Sequence, residues 1–190
     1  MSLERSNLNT DKKKIAEITL KILESISWKD TSIEMIKKKS KIKSFDKLVA
    51  SKLDILKVIN IYFDYKLSLS SKNLELSNNK DMVFEILMMR FDILQSHRKA
   101  VISIFNSFNK KPKSLIFFLP SVLDSIVLMC EYTQISTKGI IGQLKIKGIL
   151  IVYALAFFTW IKDDSLSIEK TMTALDNYLD NAGKIINYLK

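Results

Sequence analysis

From Met1 to Lys138 the chain contains no glycine, and its 190 residues include only four glycines and two prolines. Hairpins and tight loops draw on residues that tolerate positive φ, so a chain this poor in them can hold little turn-rich β structure. Apolar residues instead recur at intervals of three and four, as on one face of a helix. The run Ile15, Ile18, Ile22 and Ile26 predicts a first helix over about Asp11 to Ile26. An all-α fold of about nine helices is expected. With 47% hydrophobic residues the chain can bury a sizeable core, as one domain or as a small head on a larger body.

Start and stop signals divide the rest. Thr31 stands three residues before Glu34, the spacing of a reciprocal cap, and predicts a helix over about Ser32 to Lys39. Ser51 and Asp54 give a second cap-like pair, opening a long connector from Lys52 to about Ser70. Any helix between these two must fit within Lys43 to Ala50. The polar stretch Ser68 to Lys80 reads as a loop, and Met1 to Asn9 as a polar tail. Helices follow over Asp81 to Gln95 and from His97 to about Asn109. Lys110-Lys-Pro-Lys113 is a break, and Ser114 to Thr133 is an apolar run that Pro120 must kink or restart. Gly139 to Ile161 and Ser167 to Leu189 complete the series. Gly142 and Gly148 suggest places where another helix comes close. Ile168, Met172, Leu175, Leu179, Ala182, Ile186 and Leu189 form a sustained four-three seam on the last helix.

Charge is uneven. The chain carries 30 Lys plus Arg against 20 Asp plus Glu. Residues 1–57 hold 14 basic and 8 acidic side chains, a net of +6, and residues 58–190 hold 16 and 12, a net of +4. A basic cluster in the first third suits phosphate neutralisation. Lysines outnumber arginines 27 to 3, so lysine also fills exposed positions by default, and a solvated face is the plainer reading of the same cluster. No arginine lies between Ile42 and Leu56 to read guanine bidentately.

The order of signals from Trp28 to Leu56 resembles the TetR family of bacterial repressors. A tryptophan anchor, Thr31-Ser-Ile-Glu-Met-Ile-Lys, a basic turn at Lys39-Ser-Lys-Ile-Lys, Ser44-Phe-Asp-Lys-Leu-Val and Ser51-Lys-Leu-Asp-Ile-Leu follow one another in that family's sequence. The glycine of the family's turn and the aromatic residue near the end of its recognition helix are missing, and the segment is about two residues short. Either base readout is atypical or DNA binding has been lost. The resemblance implies a three-helix helix-turn-helix head over 1–57 and a helical ligand-binding and dimerisation body over 58–190. It also implies DNA contact through Thr31, Ser32, Lys41, Lys43, Ser44, Lys47, Ser51 and Lys52, a palindromic operator, and a homodimer through the last two helices. The bland alternative is that the terminal seam closes only its own subunit's core.

A second resemblance covers roughly the last 35 residues. Phe157-Phe-Thr-Trp-Ile-Lys-Asp-Asp-Ser-Leu-Ser-Ile-Glu-Lys-Thr-Met-Thr-Ala-Leu-Asp176, with Arg90-Phe-Asp-Ile-Leu94, is similar to the ubiquinone-biosynthesis lipid-binding family, itself of TetR-like fold. That likeness implies an isoprenoid- or lipid-binding accessory protein with a vestigial head. Either family implies an apolar pocket in the body, for which Phe84, Met88, Phe91, Leu128, Met129, Tyr153, Phe157 and Trp160 are candidates, or else simple core packing.

Little points to chemistry. One histidine, His97, and one cysteine, Cys130, provide neither a metal site nor a catalytic dyad, and no glycine-rich phosphate loop occurs. No enzymatic activity and no cofactor are expected. Asp163 and Asp164 read as caps of the final helix, and Cys130 as a small buried hydrophobe. The longest near-apolar stretch, Gly148 to Ile161, falls short of the roughly 20 residues that span a bilayer and reads as a buried core helix. With no secretory signal at its start, the chain is expected in the cytoplasm.

Overall fold

The computed structural model describes residues 8–74, 78–109 and 112–188. The expected polar tail and Lys110–Lys111 lie largely outside these, as do part of the 68–80 loop and Leu189. The fold is all-α: nine α-helices and no strand occur among the described residues. They are α1 (Thr10–Leu23), α2 (Ile33–Ser40), α3 (Phe45–Leu48), α4 (Lys52–Ser70), α5 (Asn79–Gln95), α6 (Arg98–Phe108), α7 (Pro112–Tyr132), α8 (Gly139–Ile161) and α9 (Glu169–Tyr188). A short 3-10 turn, Ser71–Asn73, follows α4.

The chain forms two compact units, one of residues 1–69 and 93–125, the other of 70–92 and 126–190. In the first, α1 packs on α2 and α6 and buries Ile15, Ala16, Leu20 and Leu23. It ends at Leu23 rather than Ile26, because Glu24 and Ser25 turn the chain and leave Ile26 half-exposed. Trp28 anchors the next corner. It is buried, and its amide donates to Ser103 Oγ at 2.8 Å, tying the α1–α2 connection to α6.

The cap of α2 falls on Ser32, whose Oγ accepts from Met35 N at 3.1 Å. Thr31 does not cap. Its hydroxyl donates to Ser27 O at 2.9 Å, and the residue is buried, so the expected Thr31–Glu34 pair does not form. The Ser51–Asp54 cap does form: Asp54 Oδ2 accepts from Ser51 N at 2.9 Å and Ala50 N at 3.2 Å, while Ser51 Oγ accepts from Asp54 N at 3.3 Å. Burial opposes the charge on Asp54, but those bonds outweigh it and hold the carboxyl below its usual range.

A buried polar network joins α4 to α7. Asn60 Nδ2 reaches Ser121 O at 2.9 Å, Ser121 Oγ at 3.1 Å and Ser125 Oγ at 2.8 Å, and Ser125 Oγ donates to Asp64 Oδ2 at 2.9 Å. Helix α7 runs without a break through Pro120, with Pro112 in its first turn, where the missing N–H costs nothing.

In the second unit α9 packs along α8. Ile168, Leu175 and Leu179 of the terminal seam are buried there, whereas Met172 is exposed. The seam therefore closes within its own chain at those positions; the side chains of Ile186 and Leu189 lie outside the described set. Lys80 at the start of α5 bridges Asp176 at 2.8 Å and Asp180 at 2.6 Å on α9.

Asp163 clamps the turn into α9. Its Oδ1 accepts from Ser165 Oγ at 2.5 Å and Ser165 N at 3.2 Å, and its Oδ2 accepts from Thr171 N and Thr171 Oγ1, both at 2.8 Å. Burial favours the neutral acid, yet these four donors prevail and lower its pKa from 3.8 to about 2.

Within the chain, Gly142 and Gly148 of α8 do not mark an approaching helix. A Cβ at Gly142 would lie 2.2 Å from the carbonyl carbon of Thr137, in the connection that precedes α8, and a Cβ at Gly148 would meet nothing within 4 Å.

Candidate nucleic-acid interface and apolar cluster

The segment between α2 and α4 places a short second helix after a turn, as expected, but α3 is a single turn of four residues. Phe45 at its start is fully buried, so this turn is spent on anchoring itself. The turn ahead of it passes through Lys41 at φ 53°, a left-handed conformation that glycine adopts at lower cost.

The eight nominated contact residues separate by environment. Lys41, Lys43 and Lys47 are exposed and surround α3. Ser32 is occupied as the α2 cap. Ser44 Oγ donates to Asp11 Oδ2 at 2.6 Å, tying the turn back to α1. Ser51 is held by Asp54, and Thr31 by Ser27. Lys52 points inward: its Nζ donates to Trp28 O at 2.7 Å and sits 5.0 Å from the centroid of the Trp28 ring. Another neighbouring cation is engaged too, since Lys37 Nζ meets Asp46 Oδ2 at 2.5 Å. Three lysines thus present charge outward while the other five nominated residues hold the corner together. Burial of a residue adjacent to a cap, as with Thr31 beside Ser32, carries no sequence signal at this spacing.

The eight candidate pocket residues all lie in the second unit. Phe91 and Trp160 are fully enclosed and Leu128 and Met129 nearly so; Phe84, Met88, Tyr153 and Phe157 are half-buried. The rings meet one another. Phe91 lies 5.5 Å from Tyr153 and 6.5 Å from Trp160, and Phe157 stacks on Trp160 at 5.5 Å. These are separations of packed aromatic pairs, so the cluster is core between α5 and α8 as it stands. An open depression of about 490 Å³ lies elsewhere, at the start of α8, lined by Gly139, Ile140, Gln143, Leu144 and Lys147.

Helix α8 is also less enclosed than its composition led us to expect. Rather than a core helix, it is buried on one side, through Gly142, Ile146, Val152, Ala156 and Trp160. Ile140, Ile141, Leu144, Ile151, Leu155 and Phe158 face solvent. Both α7 and α8 are long and apolar enough to cross a membrane by length and composition.

The titratable groups are few. His97 stacks on Phe63 at 5.6 Å; burial and then the nearby Lys66 charge lower its pKa. Cys130 is buried, which pushes its thiol up to about 11. Among the described residues no three His, Cys, Asp or Glu side chains converge as metal ligands. The chain matches no protein-family model and no curated protein.

Proposed function

We propose that the chain is a cytoplasmic transcriptional regulator of TetR type, binding DNA as a homodimer, with an apolar small molecule as its effector. The observation that carries this reading is the outward trio Lys41, Lys43 and Lys47 around a capped helix-turn-helix. Their contacts are to phosphates, because α3 offers one turn and directs Phe45 inward. Affinity then depends steeply on salt, and sequence preference is modest. An effector would enter by opening the Phe91–Tyr153–Trp160 cluster and would act through a second arrangement of the body helices.

The test is fluorescence anisotropy with the duplex upstream of the chain's own gene and a scrambled duplex, at two salt concentrations. Replacing Lys41, Lys43 and Lys47 together by Glu removes binding, while each single Lys→Ala change lowers the salt slope by about one. Lys52 is left intact, because its ammonium holds Trp28.

A second reading is supported by the exposed apolar side chains of α8: an accessory module for isoprenoid or other lipids whose head no longer contacts DNA. Equal binding to both duplexes, together with a hydrophobic molecule identified by mass spectrometry in the purified protein, would favour it.

A further inference from the structure

We propose that the first half of α7, Pro112 to Pro120, is a docking tip that lies in the surface of a membrane carrying anionic phospholipid. The inference goes beyond the regulator reading and does not depend on it. Leu115, Ile116, Phe117 and Leu119 are exposed by 42%, 67%, 63% and 41%, and Pro112 and Pro120 beside them face solvent too. At about 100° per residue, the four large side chains spread over an arc of about 200°. The remaining side is the attached one. Phe118 stacks on Phe108 of α6 at 6.2 Å, and Ser121 and Ser125 bond Asn60 of α4. A groove on a protein partner takes one stripe of a helix, spaced by three and four, whereas an apolar surface over half the circumference suits a medium that surrounds it.

Charge selects the kind of surface. Residues 93–123 contain five basic residues and no Asp or Glu, so nothing in this stretch repels an anionic headgroup. Lys110 and Lys111 immediately precede α7 in the sequence, and Lys113 in its first turn is exposed. Lysines bordering an apolar helix face reach phosphates while that face sits among the upper acyl chains. Length rules out crossing by this half alone. The nine residues 112–120 make about 13 Å of helix, against the roughly 30 Å of a hydrocarbon core. Although α7 as a whole is long and apolar enough to span, its second half is committed to the protein, with Ile126, Leu128, Met129 and Cys130 buried. What is left fits an interfacial position, with the apolar arc sunk about 5–10 Å below the headgroups.

Vesicle flotation of the full chain is the test, with phosphatidylcholine alone and with phosphatidylcholine mixed with phosphatidylglycerol. The chain floats with the mixed vesicles, and added salt lowers the floated fraction. Ile116→Gln combined with Phe117→Gln cuts partitioning by about tenfold or more. Helicity by circular dichroism and the thermal melt stay unchanged, because both side chains already face solvent. Lys113→Gln weakens partitioning about fivefold, and Ile151→Gln on the exposed side of α8 leaves it as it was. An environment-sensitive dye on a Phe117→Cys chain brightens and shifts to the blue on the mixed vesicles, while the buried Cys130 stays unlabelled. Failure of the unchanged chain to float, or equal flotation with both vesicles, would overturn the proposal. So would flotation that survives the α7 pair of changes and is lost with Ile151→Gln, which would give lipid contact to α8. An oligomer in sedimentation that the α7 changes split into monomers would overturn it too, by assigning the tip to a second copy.

Discussion

Asp163 and Lys41 show what single residues contribute. The Asp163 carboxylate is buried and takes four hydrogen bonds across the turn into α9. Its folded pKa, about 2, lies below its ordinary 3.8. The unfolded chain therefore takes up the proton first on acidification, and the clamp's stabilisation is complete above about pH 4 and lost as pH falls through about 2. Asp163→Ala strands the buried Thr171 donors and costs about 2 kcal/mol at neutral pH, read from urea melts. That penalty shrinks when the melts are repeated near pH 2. Lys41 gives the opposite sign: its φ of 53° is strained for any residue with a Cβ. Lys41→Gly stabilises the chain by up to about 1 kcal/mol and, under the proposed DNA-binding function, still lowers affinity, separating stability from affinity in one substitution.

At the scale of elements, the sharpest boundaries were those with a local chemical cause. The start of α4 was legible because Ser51 and Asp54 cap each other, and Gly139 marks the start of α8 with a φ of 68°. The start of α2 was legible only to within a residue. Thr31 and Ser32 both offer a hydroxyl, and what decides between them is the burial of Thr31, which is set by tertiary packing. The length of α3 was legible as a limit, the space between Lys43 and Ala50, but not as the single turn that Phe45 anchors. The aromatic residues of α5 and α8 were legible as apolar, but the same side chains can line a cavity or fill one, and here their rings touch. The Asn60–Ser121–Ser125–Asp64 network gave no signal at all, because polar residues inside a helix ordinarily face water. Asn60→Leu removes the donor that these oxygens share and destabilises the first unit by about 2–3 kcal/mol, seen as earlier loss of near-ultraviolet dichroism on heating.

At the scale of the whole molecule, a net charge of +10 coexists with an exposed apolar helix face. The charge favours approach to a polyanion, and the apolar face favours a partner that excludes water. Helix α8, Gly139–Ile161, contains no acidic residue and is followed only afterwards by the helix that covers its buried side. The order of synthesis gives this arrangement a consequence. A nascent chain leaving the ribosome presents the α9-facing side of α8 uncovered until Ile168, Leu175 and Leu179 have been made. A truncation ending at Asp164 stays in that state and precipitates, or partitions into detergent, to a greater extent than the full chain. For the interval between those two lengths, the growing polypeptide is a client for chaperones or for the machinery that sorts apolar helices.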